Sequence, residues 1–107
     1  MTGMDDREKA FENKFVHDET VRFKTDMRRN KLLALWAAEL MGLADEAANA
    51  YVMEVVKSDL EEVGAEDVYR KLMGDFQAKG IDVSEHKLRT MMDEKLEEAK
   101  KQVMTEV

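Results

Sequence analysis

At 107 residues, with 44% hydrophobic and 38% charged side chains, the chain can build one modest core; it is too short for two domains and too apolar for a disordered segment. It has no cysteine, which excludes disulfides and thiolate metal sites, and its longest apolar run, Leu32 to Ala38, falls far short of the roughly 20 residues a membrane helix needs. The net charge of −7 is unevenly spread: residues 1–31 carry eight Lys/Arg and seven Asp/Glu, the rest nine and seventeen, and so acidic a body argues against a nucleic-acid partner.

No proline interrupts the sequence and only five glycines punctuate it, so long helices are permitted. The opening Met1-Thr2-Gly3-Met4-Asp5-Asp6 is too acidic for a signal or transit peptide. The first helix is expected from about Asp5 to Met41, with Thr2 three residues before Asp5 in a capping-box arrangement. The second is expected from Asp45 to Val63, on the helical spacing of Ala48, Val52, Val55, Val56, Leu60 and Val63. Val68, Leu72 and Phe76 recur every four residues in a third, Glu66 to Lys79, which contains Gly74 for no reason visible in the sequence. Ser84 is a good N-cap for the fourth, Val83 and Leu88 form its hydrophobic staple, and Leu88, Met91, Met92, Leu96, Ala99 and Val103 make its apolar face. Gly42, Gly64 and Gly80 each follow a helical stretch as plausible C′ residues. Strand-like alternation is absent. The fold expected is all-α: a four-helix bundle with a long first helix and a protruding N-terminal helical arm with room to flex.

The arm follows from lengths. A continuous helix from Asp5 to Met41 measures roughly 55 Å and its neighbour about 28 Å, so roughly 18 residues overhang the bundle unless the chain bends back at a hinge. The two parts divide as 1–20, the arm, and 21–107, the bundle. Residues 32–41 are apolar on several sides, with Trp36 as a core anchor. In the arm, Met4, Phe11 and Phe15 form one narrow stripe among Asp5, Asp6, Arg7, Lys9, Glu12 and Lys14; it is either an edge of the bundle core or a stripe that lies in a groove on a partner, and the overhang and the charge balance favour the groove. Two phenylalanines supply about 3–6 kcal/mol on burial. Ordering some fifteen flexible residues costs about 1–2 kcal/mol each, so a competent groove must enclose several turns.

Catalytic chemistry is hard to assemble from this sequence. Glu-x-x-His, the bundle-metal motif, fails at both histidines, because Lys14 precedes His17 and Val83 precedes His86. The run His17-Asp18-Glu19 points its side chains in different directions on a helix. Neither a glycine-rich phosphate loop nor a Ser/His/Asp constellation stands out, so neither enzyme activity nor a resident cofactor is expected. Arg28, Arg29 and Lys31 could meet phosphate or, paired with nearby carboxylates, could equally well be plain surface; the phosphate option makes a small nucleotide-binding helical module, taking ATP or ADP near Arg28 and Arg29, the alternative reading. Met53, Met73, Met91, Met92 and Met104 are expected as soft core filler rather than as an adaptable groove.

The run Asp6-Arg7-Glu8-Lys9-Ala10-Phe11-Glu12-Asn13-Lys14-Phe15, then His17-Asp18-Glu19 and Arg22-Phe23-Lys24, resembles the zeta-type inhibitor subunit of bacterial F-type ATP synthases. So does Arg28-Arg29-Asn30-Lys31-Leu32-Leu33-Ala34-Leu35-Trp36-Ala37-Ala38-Glu39, and the likeness continues through Tyr51, Asp67-Val68 and Arg70-Lys71. Ala34 departs from the glycine expected there. The resemblance implies a cytoplasmic regulatory subunit, peripheral to the inner membrane through the synthase and not inserted in the bilayer. Its N-terminal segment would enter the catalytic head between a beta and an alpha subunit, beside gamma, and block ATP hydrolysis. Carried onto this chain, it makes residues from Met4 to Glu19 the inhibitory segment. Phe11 and Phe15 are then the buried anchors, and Arg7, Glu8, Lys9, Glu12 and Lys14 the charged contacts.

Overall fold

The computed structural model describes residues 6–61 and 64–106. Thr2, Met4, Asp5 and Val63, which figure in the expected helix ends and the arm stripe, lie outside the described residues. The described residues form five helices: α1 (Asp6–His17), α2 (Glu19–Leu40), α3 (Asp45–Glu61), α4 (Ala65–Ala78) and α5 (Glu85–Met104). The described residues contain no strand.

The single long first helix and the four-helix count are both corrected by a break at Asp18. Asp18 is extended (φ −107°, ψ 109°), and its carboxylate accepts hydrogen bonds from the Thr20 and Val21 amides at 2.9 and 3.3 Å. Those amides would otherwise lack partners at the start of α2. On the other side, the Asp18 amide donates to the Lys14 carbonyl at 2.7 Å and closes the last turn of α1. The rod of roughly 55 Å therefore does not form; the molecule's longest extent is 46 Å.

The central helix is α2, packed chiefly along α5 and α3, with α4 closing the bundle against α3 and α5. Its contribution to the core, Leu33, Ala34, Ala37 and Ala38, is mostly small, which lets its neighbours approach closely. They answer with Val52 and Val55 from α3, Leu72 and Phe76 from α4, and Leu88 and Met92 from α5. Trp36 packs on this core half-buried, edge-on to Phe76 with ring centroids 5.7 Å apart.

The turns are written in glycine and serine. Gly42 (φ 75°) and Gly80 (φ 70°) occupy the left-handed C′ position expected of them. The next amides, of Leu43 and Ile81, donate back to Ala38 and Phe76 at 2.9 and 2.8 Å, which makes both ends Schellman motifs. Gly64 differs: it is the N-cap of α4, with φ 145°. Ser84 caps α5 as expected, accepting from the Lys87 amide at 3.0 Å.

Candidate partner-docking helix

The break at Asp18 turns α1 back onto the bundle, so the arm does not overhang. Phe11 is only 4% exposed and sits against Val21 of α2 and Val103 of α5, with Phe15 and Met104 partly covered beside it. This cluster is separate from the main core. Three polar contacts accompany it. Lys100 Nζ lies 3.4 Å from Glu12 Oε1 and 4.5 Å from the centre of the Phe15 ring, and Arg7 Nη2 donates to the Met104 carbonyl at 3.4 Å. Glu8 is half-buried at the same seam, while Lys9 and Lys14 face solvent. The seam leaves a cavity of about 270 Å³ bordered by Phe11, Glu12, Lys100 and Met104.

The attachment is shallow. Burying one phenylalanine yields about 2–3 kcal/mol, and a half-buried ion pair such as Glu12–Lys100 adds about 1 kcal/mol. Within the described part of the arm's stripe, Phe11 is thus covered and Phe15 partly so, by a small satellite cluster. Of the residues that hold it, Val103 was legible as part of the apolar face of the last helix. Its pairing with Phe11 was not, because 92 residues separate them and the turn at Asp18 decides their meeting.

Arg28 and Arg29 go to different surroundings. Arg28 reaches the end of α5, donating to Gln102 Oε1 and Glu106 Oε1 at 2.9 Å each. Arg29 is buried and donates from Nε to Asn30 Oδ1 at 2.9 Å. Adjacent helical residues diverge in direction, and here the divergence separates the two guanidinium groups that a shared phosphate would need. Glu106 is the carboxylate most affected: the Arg28 hydrogen bond, then that of Lys24, brings its pKa down to about 2. His17 and His86 are exposed, and no three His, Cys, Asp or Glu side chains of the described residues converge as a metal site would require.

Of the five methionines expected as filler, Met91 and Met92 are buried and Met73 and Met104 half-buried, but Met53 is 66% exposed. None of the described helices is long and apolar enough to cross a membrane.

These features define a small all-α protein with a separately jointed N-terminal helix, lightly held on a well-packed body. The chain belongs to the ATPase inhibitor subunit zeta family, whose sequence profile matches residues 1–102. A protein solved in solution by NMR is 45% identical, over 80% of this chain and 98% of its own, and superposes with a TM-score of 0.68. No curated protein matches the chain.

Proposed function

We propose that the chain inhibits ATP hydrolysis by an F-type ATP synthase, and that α1 is the element that does so after leaving the body. The observation that carries this reading, beside family membership, is the joint at Asp18 with a helix already formed on its N-terminal side. A preformed helix needs less ordering than a flexible segment when it enters a groove. Leaving the body forfeits about 2–3 kcal/mol of Phe11 burial, which a closely fitting groove regains with the same side chain.

In this reading the stripe of Phe11 and Phe15 serves twice, once against Val21 and Val103 and once inside the partner. Arg7, Glu8, Lys9, Glu12 and Lys14 exchange their present surroundings for charges on the catalytic head. The helix lodges between a beta and an alpha subunit beside gamma and stops rotation in the hydrolytic direction.

The test is deletion of residues 1–18, followed by titration of the purified catalytic head with hydrolysis as the readout. The shortened chain is expected to keep its helical circular dichroism and lose inhibition. Inhibition equal to that of the full chain would overturn the proposal.

A further inference from the structure

Beginning two residues after the joint, α2 and α3 enclose a surface groove of about 460 Å³. Its floor is apolar: Met27, Val52 and Val56 lie in it, and Phe23 and Met53 stand at its edges 54% and 66% exposed. Leu60, one turn beyond Val56, continues the apolar strip at 54% exposure. Large side chains so exposed and so close together mark a binding surface more often than scattered surface residues do. Methionine in particular adapts its shape to a partner.

The rim is basic in a molecule of net charge −7. Lys24, Arg28 and Lys31 line it from α2 at helical spacing. One carboxylate, Glu106, answers both Lys24 and Arg28, at 3.0 and 2.8 Å. Lys31 makes no ion pair among the described residues, and its side chain is exposed.

We propose that this groove is a second attachment point to the catalytic head, taking an amphipathic helix of the head whose apolar face is flanked by carboxylates. The proposal rests on the inhibitory reading above. Shape favours a helix, because an apolar channel between two antiparallel helices receives a third helix side-on. Charge favours an acidic one. A flat anionic membrane fits less well, since the channel is concave and the molecule as a whole is acidic. Position favours the head: any partner that grips α1 up to His17 stands next to Thr20, Phe23 and Lys24, the first groove residues. A body anchored there also makes entry of α1 an intramolecular step, which raises its effective concentration at the head. That compensates for an arm with only two aromatic anchors.

The experiment uses the full chain and the purified catalytic head, with affinity and hydrolysis measured separately. The variant Phe23→Glu/Met53→Glu changes two exposed side chains, and its fold is checked by circular dichroism. Its affinity for the head is expected to fall about tenfold or more while inhibition at saturation stays complete. Lys31→Glu is expected to weaken binding and Lys31→Arg to preserve it, and added salt should weaken the wild type more than Lys31→Glu. Affinities within twofold of wild type for the double variant would overturn the proposal. So would transfer of the effect to anionic phospholipid vesicles or to self-association in sedimentation, with head binding unchanged. A wild type that binds the head without inhibiting it would defeat the inhibitory reading alone. A wild type that does not bind would defeat both.

Discussion

Inside the bundle, a knot of polar side chains ties three helices together. The Asn30 amide, buried in α2, accepts from Arg29 Nε at 2.9 Å and donates to Asp59 Oδ2 at 2.8 Å. Asp59, 3% exposed in α3, also accepts from the amide of Gly64, the N-cap of α4, at 3.3 Å. Asp26 lies at the edge of this knot. Burial raises its carboxyl pKa above 3.8; the Arg29 cation opposes the rise and the Asp59 charge adds to it. A carboxyl raised in the folded state binds its proton more tightly there than in the unfolded chain, so Asp26 reduces stability as pH climbs through the window above 3.8. Asp26→Asn removes that cost. It is expected to raise the melting temperature at pH 7, with the gain vanishing in melts below about pH 3.8. An equal gain at both pH values would show that the effect is not electrostatic. The sequence offered Arg28, Arg29 and Lys31 as one basic cluster because they are neighbours in the chain. Helical rotation sends Arg29 inward, and its partner network depends on a residue in another helix, which no local pattern announces.

Among the elements, the turns and the apolar faces were legible and the joint was not. Gly42, Gly80 and Ser84 act by local geometry, and the spacing of Val68, Leu72 and Phe76 is a local period, so each could be read before the fold. Asp18 also carries a local signal, since aspartate favours N-caps over helix interiors. No glycine or proline accompanies it, so nothing beside the aspartate itself marks an end to the helix there. Asp18→Ala removes the cap, at about 1 kcal/mol, and substitutes the best helix former. Both changes favour running α1 straight into α2. The expected outcome is helical carbon chemical shifts across 17–19, exchange broadening of the Val103 and Met104 signals, and half-inhibition at a lower concentration than wild type. An unchanged break in the shifts would show that the Phe11 cluster, rather than the cap, bends the chain. Gly74, unexplained by the sequence, has an exposed position inside α4 with nothing within 4 Å of an added Cβ. Gly74→Ala should therefore stabilise the protein by about 0.5–1 kcal/mol in urea melts, without altering inhibition.

The molecule as a whole is a bundle of α2 to α5 carrying α1 as a satellite, and the two should open separately. The core of Leu33, Ala37, Val55, Leu72, Phe76 and Leu88 is fully buried and can be lost only with the bundle, whose stability falls in the range of about 5–15 kcal/mol for a domain of this kind. The satellite rests on Phe11, Val21 and Val103, with charged contacts at the rim. If its release forfeits about 2–3 kcal/mol, roughly one molecule in a hundred is expected to have α1 free at any moment. Native-state hydrogen exchange should then give amides in the last two turns of α1 protection of at least about a hundredfold but well below that of the amides of Leu33 and Ala37, whose protection is set by global unfolding. Val103→Ala, which trims the body side of the cluster and leaves the arm intact, should lower the α1 protection further. Protection in α1 equal to that of α2 would mean that the helix leaves only when the bundle unfolds. An inhibitor working by release of α1 would then have no accessible active form. On the proposed mechanism, a minor population would keep α1 available to the catalytic head while Phe11 stays covered for most of the time.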